Sequence, residues 1–196
     1  TAAHCLDYQS KPDAEGNIAT DRKAKTIKVY FGVSGTSNSS FTYEYSVTVN
    51  CTSKNTITAP NWNRNHSYYD YGLIILPKAV NIDYCFTLYN CPDPSADGLS
   101  ASIVGYENNK LASKFHNYQL VRGDGKVYKE NNYKFKTRIA GLPGESGAPV
   151  LDSQNRVIGI FTYDAGKAFI TTPTDSQWNK ATRITKDVIA FYEKKY

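Results

Sequence analysis

The sequence predicts an all-β protein. Short segments rich in β-branched and aromatic residues recur along the chain, and Gly, Pro, Asn and Asp cut them at short intervals. Helical periodicity is confined to the C-terminal end. Taken in order, residues 26–33 and 41–49 read as strands, and the turn chemistry of residues 35–40 between them makes a hairpin. Leu73, Ile74, Ile75 and Leu76 form an apolar run closed by Pro77, whose brevity and β-branching fit a buried strand better than a helix. Further short strands are expected at 101–105, 118–121, 133–139, 149–151, 157–162 and 168–172. So many regular short strands point to a sandwich or a barrel. After Thr185, Val188, Ile189 and Tyr192 recur at helical spacing with lysines opposite, so Thr185 is expected to cap a terminal helix. Residues 90–98, with Pro92, Pro94 and Gly98, form the best boundary, giving units 1–92 and 93–196.

Composition narrows the function. A chain of 196 residues with 40% hydrophobic and 21% charged residues buries a core in one large domain or two small ones. The net charge is +5, but the 23 basic residues are interleaved with 18 acidic ones. That pattern reads as a solvated basic face, with no nucleic-acid partner. No apolar run reaches the ~18 residues of a membrane span, so no membrane partner is expected, and no charged-then-apolar leader opens the chain. Three sequons begin at Asn38, Asn50 and Asn65, and the four cysteines make an even set, which fits a secreted, disulfide-forming protein. Cys85 and Cys91 lack the His or Cys companions of a zinc site, and neither metal nor organic cofactor is expected.

Three blocks carry chemistry. The chain opens Thr1-Ala2-Ala3-His4-Cys5; Asp70-Tyr71-Gly72 leads into the apolar run at 73–76; and Gly144-Glu145-Ser146-Gly147-Ala148-Pro149 follows in the second half. Together, and in this order, they resemble the signatures of the chymotrypsin-like (trypsin-like) serine protease family, and the third is similar to the nucleophile loop of glutamyl-endopeptidase-type members. Residues 57–62, 104–106 and 157–160 echo the same family, so the resemblance spans nearly the whole chain.

The resemblance implies two antiparallel six-stranded β-barrels with a C-terminal helix. The first barrel is expected to be incomplete, because the family has strands before the histidine; an upstream segment or a second chain would complete it. It implies a secreted serine endopeptidase that cleaves protein or peptide substrates through an acyl-enzyme. The alternative is a catalytically silent homologue that binds a partner protein. Ser146 would be the nucleophile, His4 its base, and Asp70 the group that orients the imidazole and stabilises its charged form. His66 and His116 lie outside family-like segments and read as loop or surface histidines. The N–H groups of Gly144 and Ser146 would form the oxyanion hole, the glycines permitting a loop shape closed to other residues. The substrate pocket would involve Ala140, Gly141, Phe161, Thr162, Tyr163 and Asp164. Ala140 stands where trypsin-like members keep an aspartate, and Phe161 where glutamate-specific relatives keep a histidine, so an uncharged side chain is the expected preference. The family pairs the cysteine after its histidine with an upstream one, and among four cysteines three connectivities stay open.

Overall fold

The computed structural model describes residues 1–9, 21–37, 40–63, 67–106, 120–141, 144–162 and 178–194. A helical turn α1 (Ala3–Leu6) leads into β1 (Asp7–Gln9), then β2 (Asp21–Lys23), β3 (Thr26–Phe31), β4 (Ser34–Ser37), β5 (Ser40–Thr42), β6 (Tyr45–Asn50), β7 (Thr56–Thr58) and β8 (Gly72–Ile74). The second half holds β9 (Leu99–Tyr106), β10 (Leu120–Lys129), β11 (Lys134–Thr137), β12 (Pro149–Leu151), β13 (Val157–Thr162), β14 (Asn179–Arg183) and the helix α2 (Lys186–Glu193).

The second half closes on itself. Its strands run β10-β11-β14-β13-β12-β9 around a barrel in which every neighbouring pair is antiparallel. Closure leaves no free edge, so each strand satisfies its backbone groups on both sides. Ile103, Val127, Phe135, Ile139, Val150, Ile158 and Phe161 fill the interior. The first half does not close: its described strands form four separate pairs, β1-β2, β3-β6, β4-β5 and β7-β8. The fold is the two-barrel arrangement expected from the motifs, with one barrel complete and the other open among the described residues.

A second core joins the halves. Ala2, Tyr71 and Leu73 from the first half meet Ile160 and Ile184 from the barrel wall and Val188 and Phe191 from α2. The helix starts at Thr185, whose hydroxyl accepts the Val188 N–H at 3.4 Å, as its sequence predicts. Arg183 straps the connection between the halves to the barrel by donating to the Asp93 carboxylate and, at 2.7 Å, to the Cys91 carbonyl.

Strands 149–151 and 157–162 lie where the sequence places them. The expected hairpin is present as β3-β6 extended by β4-β5, so strand pairing reaches Ser37, further into the predicted turn. Strand β10 runs to Lys129 through Gly123 and Gly125, residues that in sequence look like breakers. The structure explains them: a Cβ on Gly123 would lie 2.7 Å from Ile139 Cγ2, and one on Gly125 2.8 Å from Ile139 Cγ1. Residues 168–172 lie outside the described residues. The expected disulfides are absent, since all four cysteines are free. Cys91 is buried in the barrel core while Cys85 is exposed, so the pair nearest in sequence occupies opposite environments.

Candidate active site

The site sits where the open half meets the closed barrel. Its first component is the junction of Thr1 with β8. Thr1 and Gly72 exchange two backbone hydrogen bonds, the Thr1 nitrogen donating to the Gly72 carbonyl at 3.1 Å and the Gly72 N–H to the Thr1 carbonyl at 2.8 Å. This pair holds α1 beside the turn that ends at Asp70, so His4 and Asp70 meet across 66 residues of sequence. The His4 ring Nδ1 lies 2.7 Å from Asp70 Oδ2, and the His4 backbone N–H donates to Oδ1 at 2.9 Å. Both carboxylate oxygens are therefore engaged, and Asp70 is only 3% exposed. A buried carboxylate held at both oxygens fixes the imidazole plane and leaves the other ring nitrogen directed away from Asp70.

The charge state of His4 follows from this. Burial disfavours the imidazolium, but the hydrogen bond to Asp70 and the contact with the Cys5 side chain outweigh it, and the pKa is pushed up from 6.5 to about 10.

The second component is the loop carrying Ser146, which packs directly on the segment bearing His4. The Cys5 thiol lies 3.7 Å from the Ser146 carbonyl oxygen. Gly147 faces Thr1 so closely that a Cβ there would lie 2.7 Å from Thr1 Oγ1. Gly144 and Gly147 have φ of 104° and 92°, the left-handed region that other residues avoid, as the motif leads one to expect. The loop is anchored by the Gly147 N–H on the Phe161 carbonyl (2.8 Å) and the Ala148 N–H on the Glu145 carbonyl (2.9 Å). The N–H groups of Gly144 and Ser146 meet no hydrogen-bond partner among the described residues. Glu145 is buried and lies against Gly105.

The pocket residues divide. Ala140 is exposed and Gly141 buried beside it. Phe161 is a core residue with no exposed surface, and its ring edge comes within 2.5 Å of where a Gly141 Cβ would stand, so it floors the space under the 140–141 segment and does not line it as an open wall. Thr162 is fully buried, its hydroxyl without a partner among the described residues. Tyr163, Asp164, His66 and His116 lie outside the described residues. One residue packed beside this segment escaped the sequence reading: the Asn179 amide donates to the Ile139 carbonyl at 2.9 Å and its nitrogen would stand 3.2 Å from a Gly141 Cβ. Asn179 belongs to no motif, and only the β11-β14-β13 pairing brings it under residue 141.

A closed antiparallel barrel, an open partner half and a His–Asp pair packed on a Gly-x-Ser-Gly loop at their seam define the chymotrypsin-like class of serine protease fold. The trypsin-like peptidase domain family matches residues 1–160. The chain belongs to that family. It is similar to a glutamyl endopeptidase of Bacillus licheniformis, 26% identical over 132 residues that make up 65% of this chain and 39% of the relative. The matched part thus spans well under half of that relative's length. A solved structure described as a Glu endopeptidase in complex with MPD shares the fold, with a TM-score of 0.66 and 16% identity, covering 99% of this chain and 78% of the other. Among the described residues no helix is long and apolar enough to cross a membrane.

Proposed function

We propose that the chain is a serine endopeptidase acting on protein or peptide substrates, with Ser146 as nucleophile, His4 as general base and acid, and Asp70 as the residue that orients His4. The observation that carries this reading is the two-point grip of Asp70 on His4, with the ring at 2.7 Å and the backbone N–H at 2.9 Å, in a segment packed on the Ser146 loop. His4, once neutral, takes the proton of Ser146 as its oxygen attacks the scissile carbonyl. The N–H groups of Gly144 and Ser146 donate to the developing oxyanion, each such donor contributing about 2.7–4 kcal/mol in the transition state. The leaving amine receives the proton from His4, and water repeats the sequence to release the acyl group. The sequons favour a secreted setting for this chemistry.

The test is labelling by a fluorophosphonate, which reacts only with an activated serine. Stoichiometric labelling of Ser146 at alkaline pH, lost in Ser146→Ala and in His4→Ala, supports the reading. A folded protein that remains unlabelled at every pH favours the silent homologue. The raised pKa of His4 bears on that second reading, because an imidazolium at neutral pH accepts no proton.

We further infer an uncharged preference at the residue before the cut bond. The relative's name specifies glutamate, but here the floor under Gly141 is Phe161 with the neutral Asn179 amide beside it, and neither compensates a buried carboxylate. Profiling with a peptide library should show apolar or amide side chains at that position, and dominant cleavage after Glu or after Lys and Arg would overturn the inference.

A further inference from the structure

Four of the sixteen tyrosines gather beside α2. Tyr68 and Tyr69 lie in the one-turn 3-10 helix Ser67–Tyr69, Tyr71 follows Asp70, and Tyr133 ends the bend that enters β11. The Tyr133 backbone is pinned on both sides, its N–H donating to Asn131 Oδ1 at 2.8 Å and its carbonyl accepting the Arg183 N–H at 2.8 Å. Its ring centroid stands 5.9 Å from those of Tyr68 and Tyr69, tilted by 40° and 46°, so the rings are not stacked face to face. Tyr68 and Tyr133 stay 44% and 42% exposed. Exposed rings on a pinned backbone form an aromatic platform with its position set in advance.

Beside the platform lies a groove of about 970 Å³ walled by Tyr69, Tyr71, Tyr133 and, on α2, Ala190 and Phe191. A small adjoining hollow shares the three tyrosines and adds Tyr68. The side chains of Asn61, Asp187 and Lys194 also line the groove, and none of them makes a hydrogen bond or ion pair with described residues. The same holds for the hydroxyls of Tyr68, Tyr69 and Tyr133. Charge cancels in this lining, which carries one carboxylate, Asp187, and one ammonium, Lys194. Arg183, behind the small hollow, is committed to the Asp93 carboxylate and the Cys91 carbonyl. Such a site gives neither a cation nor an anion a net attraction. It offers aromatic faces to an apolar surface and uncommitted donors and acceptors to hydroxyls. A sugar ring presents both, C–H groups on its face and hydroxyls around its edge.

We propose that this groove binds a neutral oligosaccharide chain, with sugar faces laid on Tyr133 and Tyr68 and hydroxyls bonded to Asn61, Asp187 and Lys194. Asp187 accepts from a hydroxyl, Lys194 donates to one, and the Asn61 amide does both. None of these residues belongs to the proposed triad, so the site stands whether or not Ser146 is an active nucleophile. It would hold the protein on glycan-bearing material.

The test titrates the full chain with cellohexaose, chitohexaose, maltohexaose and mannohexaose, following heat and the tyrosine ring signals in NMR. At least one of these chains is expected to bind with a Kd of about 1 mM or tighter. Tyr133→Ala and Tyr68→Ala, on separate elements, should each weaken that binding about tenfold, whereas Tyr133→Phe keeps most of it. Tyr43→Ala, at an exposed tyrosine outside the groove, should leave it unchanged. Asp187→Asn retains an acceptor and should change it by no more than about twofold. Failure of all four sugars to bind overturns the proposal, as does binding that survives both Tyr133→Ala and Tyr68→Ala. Binding of tetramethylammonium in place of the sugars, lost in Asp187→Asn, also overturns it and makes the groove a cation site.

Discussion

The two halves of the molecule draw on similar residues and reach different states. In the C-terminal half every barrel strand has two partners, and its interior residues, Phe135 and Ile158 among them, lose all contact with solvent. In the N-terminal half the described strands form pairs, and the Tyr30, Phe41 and Tyr43 rings contact one another at 5.0–6.0 Å. Closure satisfies edges and makes burial complete; pairing alone does neither. The division matters for chemistry because His4 and Asp70 come from the open half and Ser146 from the closed one. The proposed base thus comes from the open half and the proposed nucleophile from the closed one.

The largest expected effect tests whether both halves act as one unit. Ser146→Ala and His4→Ala should each lower kcat by about 10⁵-fold or more, because members of such a triad are lost together. Circular dichroism and melting should stay at the parent values, since neither residue belongs to a core cluster. Unequal losses, with His4→Ala costing less than tenfold, would mean that the open half does not deliver the base.

Stability should separate the halves more modestly. Phe135→Ala empties a fully buried position in the barrel and is expected to cost about 3–5 kcal/mol in urea unfolding. Phe31→Ala removes a half-buried ring stacked on Tyr45 at 4.5 Å and should cost about 1–2 kcal/mol. Equal costs at the two positions would show that the open half is packed as tightly as the barrel.

How far the sequence could be read follows the same division. The β12 and β13 strands and the capped α2 were legible because local signals, alternating apolar residues and an N-cap threonine, coincide with their final burial. Strands β1, β2 and β14 were not: Asp21–Lys23 is entirely charged, and Asn179–Arg183 is polar in all but Ala181 although its residues lie in the barrel wall. Such segments are strands because a neighbour offers an edge, a signal absent from their own residues. The meeting of His4 with Asp70 was legible from motif and order. The position of Asn179 and the burial of Phe161 depend on cross-strand pairing, which no local pattern encodes. The even cysteine count left three connectivities open in the sequence, and in the structure Cys85 is exposed and Cys91 buried with all four thiols free.

The smallest expected effect concerns the tuning of His4. Its pKa lies near 10 because Asp70 and Cys5 together outweigh burial. Only the neutral imidazole accepts the serine proton, so kcat/KM should climb with pH through the neutral range and level off near pH 10, where an unperturbed histidine would level off near 6.5. The same shift links to stability. A group whose pKa is higher folded than unfolded adds stability that is complete below pH 6.5 and is lost as pH rises through about 10, so the protein should be less stable at the pH where it is most active. Cys5 belongs to the open half and touches both His4 and the Ser146 carbonyl, which makes it the contact through which the two halves jointly set the base. Cys5→Ala removes one of the two groups that raise the pKa and leaves the Asp70 grip intact. The activity limb should therefore move to lower pH with little change in its plateau, while Asp70→Asn should depress the plateau itself by about 10⁴. A Cys5→Ala limb that coincides with the parent's would assign the shift to Asp70 alone and remove the thiol from the account.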